Sequence, residues 1–493
     1  MKTPACRTHR HQRLTYFKMR SLALAAGCAC LWSHTASATD NDEVNPADLP
    51  QADLAIQAKP TDQWTGLWSR QNLLGDMGGL RSELGHHGVT VGLTETSEEL
   101  ANVHGAAKTG SAYDGLTTLT LGLDTRQAFG IEGGNFNLSV LNVHGHNLSQ
   151  SNLETIQTAS GIEADSGTRL WEMWYQQKFL DGAMDIKLGQ QSIDQEFMVS
   201  QYAGTFMNTM FGWPTVPSYD MPSGGPAYPL SALGVRLRAR PTDSITLLTG
   251  VYDGNPTGNN NQDQHGTLLN THNGALIISE LQYGVNQPVV GQLDSPGHAS
   301  GLPGMYKIGA WYNTQNFADQ HYDDNGVSLA DPNSDQNPRQ HPGNYSLYAV
   351  ADQMVWRQTE DSSRAVGVFA RAMIAPPNRN EISMSANLGA TLTAPFDGRD
   401  NDTAGLGFGY SRVSNAISAL DADSASFNQV NSPVRHAETF AEVTYQYQLT
   451  PWWQLQADIQ YVWNPGAGVA SASNATQRLN NALVIGLRTN ITL

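Results

Sequence analysis

Apolar and polar residues alternate one by one over long stretches of this chain. In residues 483–493 apolar or weakly polar side chains take every second position, and residues 453–463 repeat the pattern with aromatic side chains at both ends. A period of two is that of a β-strand with one apolar and one polar face. A soluble sandwich would scatter its aromatics over the apolar face, whereas a transmembrane barrel concentrates them at the two membrane interfaces. The pattern therefore favours an all-β transmembrane barrel over a soluble β-protein.

The composition of the 493 residues excludes two other classes of protein. Charged residues make up 15% of the chain, against about 25% in a typical soluble protein. The longest weakly polar run, Ser21 to Trp32, has 12 residues, whereas a membrane-spanning helix needs about 20. A helical membrane protein is therefore excluded. The 28 basic against 45 acidic residues also argue against nucleic-acid binding, which requires a concentrated basic surface.

Sixteen segments between breaks rich in Gly, Asn, Asp and Pro carry the alternation. They span residues 88–103, 115–130, 133–149, 169–180, 183–194, 231–241, 244–254, 275–285, 305–319, 345–358, 365–377, 384–396, 402–414, 438–452, 453–466 and 482–493. An even number lets both ends of the sheet meet on the periplasmic side and close without a free edge. A tight turn at Pro451 contrasts with long polar loops at residues 255–274 and 317–344. The sequence predicts an antiparallel barrel of about sixteen strands with a short N-terminal periplasmic segment.

The first 38 residues predict a signal peptide. They contain six basic and no acidic residues, then the weakly polar run, and end in Ala36-Ser37-Ala38, a small-residue cleavage site. All three cysteines lie in this segment, so a mature chain starting at Thr39 has no disulfide. Lipoprotein cleavage before Cys28 is the alternative.

The chain after the signal divides into a leader and the barrel. Residues 39–63 are acidic and without period, which predicts a flexible leader. The barrel is assigned to residues 64–493, with a helix of one or two turns expected within residues 69–84 and no other long helical pattern. Residues 211–230 hold five prolines and cannot form a central strand, because proline donates no ladder hydrogen bond. This segment is either an external loop or a loop folded into the lumen; its few charges and many aromatics favour the lumen.

Arginines occupy alternate positions just after this proline-rich loop. Three arginines alternate with three apolar residues in the set Leu233, Val235, Arg236, Leu237, Arg238 and Arg240. Arginine at the lipid-facing midplane costs about 2–4 kcal/mol, so in a barrel these side chains face the interior. There they would attract anions or donate hydrogen bonds to hydroxyl oxygens. The spacing leaves both solute classes open, and a solvated ladder near the rim is the alternative arrangement.

A second dense patch contains Trp171, Glu172 and Trp174. Aromatic faces with planar polar side chains suit a neutral polyol better than a phosphate. Alternation should let only one of the two tryptophans point inward, so the other is expected in the aromatic belt at the membrane interface.

No pattern in the chain supports catalysis or a metal site. The fourteen histidines form only two close pairs, His86-His87 and His144/His146, without metal-ligand spacing. The segment Asp323–Gly326 lacks the terminal acid of a calcium loop. We therefore expect no enzyme activity, no cofactor and no metal.

Several segments together resemble the carbohydrate-selective porins of the OprB family, from about residue 64 to the end. The matching segments are 74–81, 174–197, 211–214, 222–229, 234–238, 251–256, 351–357, 444–447 and 451–453. The resemblance implies an outer-membrane barrel that passes monosaccharides such as glucose by facilitated diffusion, through a constriction lined by arginines and an acidic residue. Arg236 and Arg238 lie on the matching strand, and Arg81 and Glu98 match family positions. The chain ends in Leu493, where outer-membrane proteins usually have phenylalanine.

The resemblance also implies partners and leaves alternatives open. Trp171 and Glu172 complete the candidate solute site. The expected partners are outer-membrane lipids, small carbohydrate solutes and the barrel-assembly machinery, without nucleic acid, and a homo-oligomer is left open. The alternatives are a porin for other small polar or anionic solutes and a secreted carbohydrate-binding β-protein.

Overall fold

The computed structural model describes residues 66–258, 263, 265–269, 271–287, 301–360 and 362–493. The predicted signal peptide at residues 1–38 and leader at residues 39–63 lie outside the described residues. No helix in the described ranges is long and apolar enough to cross a membrane.

Sixteen antiparallel strands close into one barrel, as predicted. The barrel strands are β1 Val89–Ala106, β2 Gly110–Asp124, β3 Gly134–Gly145, β4 Gly167–Phe179, β5 Met184–Gln191, β6 Ala232–Thr242, β7 Ile245–Asp253, β8 Ala275–Val285, β9 Gly304–Asp323, β10 Pro338–Arg357, β11 Ala365–Ile374, β12 Ile382–Thr393, β13 Thr403–Val413, β14 Ala437–Thr450, β15 Trp453–Trp463 and β18 Asn480–Thr492. A small hairpin of β16 Ala470–Ser471 and β17 Asn474–Arg478 lies in the connection between β15 and β18. Strand β1 pairs with β18, which leaves the barrel sheet without a free edge.

The helical segments are short and lie before the first strand or between strands. They are α1 Leu80–His86, α2 Thr125–Phe129, α3 Thr209–Gly212, α4 Thr215–Asp220, α5 Asn415–Phe427 and α6 Pro465–Gly468, with single turns at Met77–Gly79, Ser149–Leu153, Ile193–Gln195, Ala203–Thr205 and Pro222–Gly224. The helix expected within residues 69–84 is α1 with the preceding turn. Helix α5 was not expected; its first turn is capped by the Ser414 side chain, which accepts a hydrogen bond from the Ile417 amide.

The two faces of the strands differ as the alternation predicts. On β15 the Ile459 side chain is 52% exposed towards the outside, while the neighbouring Gln460 is fully buried inside the barrel. On β18 Leu487 is exposed, while the neighbouring Arg488 is largely buried and forms an ion pair with Glu98 inside the barrel. The predicted apolar outer face and polar inner face are therefore confirmed for both strands.

Several predicted strand boundaries differ from the structure, three of them for identifiable reasons. Strand β2 ends at Asp124 instead of residue 130, because the Asp124 carboxylate caps α2 by accepting hydrogen bonds from the amides of Arg126 and Gln127. The predicted loop 317–344 is shorter than expected, because β9 continues to Asp323 and β10 begins at Pro338. These ends of β9 and β10 were not predicted because they are polar and extend beyond the apolar part of the two strands.

A cluster of polar side chains around Glu95 interrupts the apolar outer wall. Glu95 accepts hydrogen bonds from Ser97 Oγ at 3.0 Å and Thr117 Oγ1 at 2.5 Å, and its Oε1 lies 3.6 Å from His144 Nε2. Gly115 makes this cluster possible, since a Cβ there would lie 2.1 Å from the His144 ring. These contacts satisfy the Glu95 carboxylate, which lowers the free-energy cost of placing it on the outer wall.

The proline-rich segment lies inside the barrel, as favoured from the sequence. Residues 192–231 between β5 and β6, here called the lumen loop, fold inward, and Phe211 and Trp213 are buried. Small wall residues admit the loop: a Cβ at Gly367 would meet the Tyr202 ring at 2.1 Å, and one at Gly407 would meet Phe211 at 2.5 Å. The loop thus packs directly on the inner wall.

Charged wall residues hold the lumen loop by its backbone. The Arg371 guanidinium on β11 donates to the carbonyl oxygens of Met198, Met210, Phe211 and Gly212 at 2.6–3.0 Å. Glu442 on β14 accepts hydrogen bonds from the amides of Met207 and Asn208 at 2.6 and 3.0 Å. These contacts satisfy backbone groups that would otherwise be buried without partners, and they fix the shape of the passage.

Candidate functional site

The predicted arginine strip lies on the inner wall of β6. Arg236 and Arg238 are 2% and 5% exposed, whereas the neighbouring Val235 and Leu237 are exposed on the outside. Arg240 is only partly buried. Alternation therefore sends the guanidinium groups inward, where Glu196 of the lumen loop contacts Arg236.

Acidic side chains pair with both buried arginines. Arg236 forms ion pairs with Asp185 on the neighbouring strand β5 and with Glu196 of the lumen loop, the latter with 2.5 Å between Nε and Oε2. Arg238 Nε lies 2.5 Å from Asp185 Oδ2. Lys187, also on β5, forms an ion pair with Glu196. The strip is thus part of a mixed-sign network rather than a row of free positive charges.

Glu196 is the member of this network that belongs to the loop. Burial raises the pKa of its carboxyl, but the opposing charges of Arg236 and Lys187 lower it more, so that the pKa is about 2. Glu196 is therefore ionised at neutral pH and links the loop to both strands.

The aromatic patch lies on β4, beside the charged network. Trp174 points inward and packs against Lys187, with Nζ 4.3 Å from the ring centroid. Glu172 also points inward and accepts a hydrogen bond from the Ser192 amide at 3.0 Å. A cation over an aromatic face is stabilising by about 0.5–2 kcal/mol. We call six of the charged residues of β4–β6 and the lumen loop the charged cluster: Glu172, Asp185, Lys187, Glu196, Arg236 and Arg238.

The expectation that only one tryptophan of this patch points inward is wrong. The β3–β4 register shifts between Ser139/Glu172 and Val140/Leu170, so Trp171 is the extra residue of a β-bulge. Its ring packs edge-on to Tyr228 of the lumen loop, with 6.3 Å between centroids. Both tryptophans therefore contact residues inside the barrel.

Glu98 lies on a different part of the inner wall. It forms an ion pair with Arg488 of β18, and Asp114 on β2 stands opposite it in the β1–β2 register. Burial raises the pKa of Tyr228, and the charges of Glu98 and Asp114 raise it further. Tyr228 of the lumen loop is therefore close enough to Glu98 and Asp114 on β1 and β2 to feel their charges, while its ring packs on Trp171 of β4.

Arg81 is separate from both groups. Its guanidinium on α1 donates to the backbone oxygen of Gly75 at 2.8 Å and to that of Leu493. Leu493 in turn donates its amide to the Leu93 oxygen at 2.8 Å. Arg81 thus holds α1 against the periplasmic ends of β1 and β18.

The charged cluster has equal numbers of opposite charges. Three basic side chains, Lys187, Arg236 and Arg238, face three acidic ones. Such a cluster combines hydrogen-bond donors and acceptors with little net charge.

Three residues of the charged cluster were not predicted from the sequence: Asp185, Lys187 and Glu196. Asp185 and Lys187 alternate on β5 as the arginines do on β6, so the same period could have found them. Glu196 belongs to an irregular loop and gave no periodic signal. Among the described residues, no group of three or more His, Cys, Asp or Glu is placed to hold a metal ion.

Comparison with known proteins agrees with this architecture. Residues 108–493 match the family described as carbohydrate-selective porin, OprB family. Porin B of Pseudomonas aeruginosa is 28% identical over 459 residues, which cover 89% of this chain and 93% of the relative. The putative porin QuiX of Acinetobacter baylyi is 24% identical over 432 residues, 83% of this chain and 92% of the relative.

A solved structure has the same fold. The high-pH structure of Pseudomonas putida OprB superposes with a TM-score of 0.77 at 24% identity, covering 87% of this chain and 100% of that one. Its low-pH structure gives a TM-score of 0.53 at 19% identity.

Proposed function

The chain belongs to the OprB family of carbohydrate-selective porins, and we propose that it passes neutral monosaccharides such as glucose through a constriction lined by Arg236 and Arg238. The family and the fold identify an outer-membrane channel of a Gram-negative cell rather than an enzyme. The choice of glucose-like solutes and the role of the arginines are the proposal.

The charge balance of the charged cluster supports this proposal most directly. Arg236 is held between Asp185 and Glu196, so its positive charge is compensated where the solute would pass. A free arginine strip would favour anions; a compensated one favours a solute that both donates and accepts hydrogen bonds. This observation favours a sugar over the anionic solute that the sequence left open.

The proposed passage works by exchange of hydrogen bonds. Sugar hydroxyls would replace water at the edges of the guanidinium and carboxylate groups, and the faces of Trp171 and Trp174 would pack against C–H surfaces. A passive channel needs binding that is weak enough for release. Glu172 on the same wall and Glu98 on the β1 wall are proposed as further solute contacts, and Arg81 is proposed to shape the periplasmic exit.

Liposome swelling with a panel of matched solutes tests the proposal. Glucose should enter faster than gluconate, which has a similar size and carries one negative charge. The Arg412→Ala variant, changed at an exposed outer-wall arginine, serves as the control and should keep this order. Equal or faster entry of gluconate through the wild type would instead support the anion porin.

A further inference from the structure

A cavity opens at the extracellular end of the barrel, away from the charged cluster. Its volume is about 370 Å³. It lies between the end of α4 and the following turn, the upper part of β9, and residues 379–381 between β11 and β12. The lining includes Tyr219, Asp220, Gln315, Phe317, Arg379 and Glu381.

The wall of the cavity is built on a fixed hydrogen-bond frame. Asn344 and Asn380 exchange two side-chain hydrogen bonds at 2.5 and 2.9 Å. Asn344 Nδ2 also donates to the backbone oxygen of Asp220 at 3.0 Å. Four residues from three separate segments are thus tied together, because the Ile382 amide donates to Asp220 Oδ1 at 3.2 Å. A cavity framed in this way keeps its shape before any solute arrives.

Asp220 has an unused polar atom in this wall. The residue is 4% exposed, and its Oδ2 has no hydrogen-bond partner among the described residues. A buried polar atom without a partner is unfavourable and calls for an explanation such as a ligand. Burial raises the pKa of Asp220 well above its ordinary value, although the amides of Ile382 and Glu381 lower it. In the protonated form the carboxyl can both donate and accept.

The remaining lining supplies apolar faces and planar polar groups. The Tyr219 ring is 40% exposed, and Phe317 is half-buried. Arg379 uses Nη1 to bind the Gly343 oxygen at 2.9 Å and Nε to bind Asn378, which leaves Nη2 unused among the described residues. Glu381 is paired with Arg435 at 3.5 Å. Opposite charges therefore line the cavity, as in the charged cluster.

We propose that this cavity is a binding subsite for one neutral pyranose sugar, which it captures at the extracellular entrance before the sugar reaches the charged cluster. A sugar ring presents C–H faces and hydroxyl groups. The cavity matches both: the aromatic faces of Tyr219 and Phe317 can pack on the C–H faces, and the hydroxyl groups can bind the guanidinium edge of Arg379 and the unsatisfied carboxyl oxygen of Asp220. The volume is near the lower end of the roughly 300–1,000 Å³ of small-molecule sites, which fits one ring. The assignment rests on the proposed function, because a captured sugar must have a passage to follow.

Single channels of known orientation in a planar bilayer test the subsite. Glucose is added to one side at a time, and the rate at which it blocks the ion current is measured. The variants Tyr219→Ala and Arg379→Ala should each lower the block rate from the extracellular side on the order of 3- to 10-fold, as for one lost hydrogen bond or ring contact. The block rate from the periplasmic side and the ion conductance should not change. Tyr322→Ala is the control, because Tyr322 is an exposed tyrosine of β9 that does not line the cavity.

The outcomes separate the subsite from the porin function. If glucose blocks the wild type from neither side, the proposed function itself fails. If glucose blocks from both sides and the two variants match the wild type and the Tyr322→Ala control, the porin proposal stands and the subsite is refuted. Correct folding of each variant is checked by heat-modifiable migration on a gel.

Discussion

Glu98 on the first barrel strand and Arg488 on the last form an ion pair across the seam that closes the barrel, with 2.5 Å between Oε1 and Nε. The two residues are 390 positions apart in sequence, and Glu98 is buried. A sequence candidate for solute contact is therefore also a closure contact. Its charge is compensated by Arg488, as that of Arg236 is by Asp185 and Glu196.

Removal of one partner of this pair should destabilise the barrel. Glu98→Ala leaves the largely buried Arg488 guanidinium without its ion-pair partner, and we expect a loss of about 3–5 kcal/mol in the free energy of unfolding. Urea unfolding followed by tryptophan fluorescence measures it. Glu99→Ala, at the exposed neighbouring position on the same strand, should change stability much less. Equal effects of the two variants would show that the pair contributes nothing to closure.

The anchor of the lumen loop should set the size of the passage. Arg371→Met removes the donors to four loop carbonyl groups while keeping much of the side-chain volume. We expect a larger single-channel conductance, more current noise and weaker discrimination among sugars, because the loop can leave the wall. Planar-bilayer recording measures all three. Arg412→Met is the matched control, and a wild-type current in Arg371→Met would mean that other contacts hold the loop.

The loop between β3 and β4 should respond to alkaline pH through Glu163. Burial raises the pKa of this carboxyl from 4.5 to about 8, and the nearby charges of Asp114 and Glu98 contribute. The folded loop therefore holds the proton more tightly than the unfolded chain. Its stability is highest below pH 4.5, falls as the pH rises towards 8, and changes little above that.

Amide hydrogen exchange of residues 146–166 tests this titration. After correction for the intrinsic rate, exchange should be faster at pH 8.5 than at pH 6. Glu163→Gln, which cannot ionise, should exchange alike at both values. The same pH dependence in both proteins would assign the effect to another group.

The sequence predicted the barrel well because lipid and water impose a simple rule on each strand. Val235 and Arg236 could be placed on opposite faces from their order alone. The rule failed where local structure overrides it. A β-bulge turns Trp171 inward, the Asp124 carboxylate ends β2 by capping α2, and polar residues hide the upper part of β9, which ends at Asp323. The rule could not place Glu196, because an irregular loop has no period. The position of Glu196 depends on its contacts with Lys187 and Arg236, which lie 9 and 40 positions away in the sequence.

The role of the two buried arginines is tested most directly by recording ion selectivity and glucose block in the same planar bilayer. Arg236→Gln combined with Arg238→Gln should shift ion preference towards cations, because the acidic residues of the charged cluster then outnumber Lys187. Glucose block should weaken by about tenfold or more, as for lost charged hydrogen bonds. Arg236→Lys with Arg238→Lys keeps the charge but loses the planar fork, so it should retain ion preference and still weaken the block. Wild-type ion preference and wild-type glucose block in the double Gln variant would contradict an arginine-lined sugar constriction.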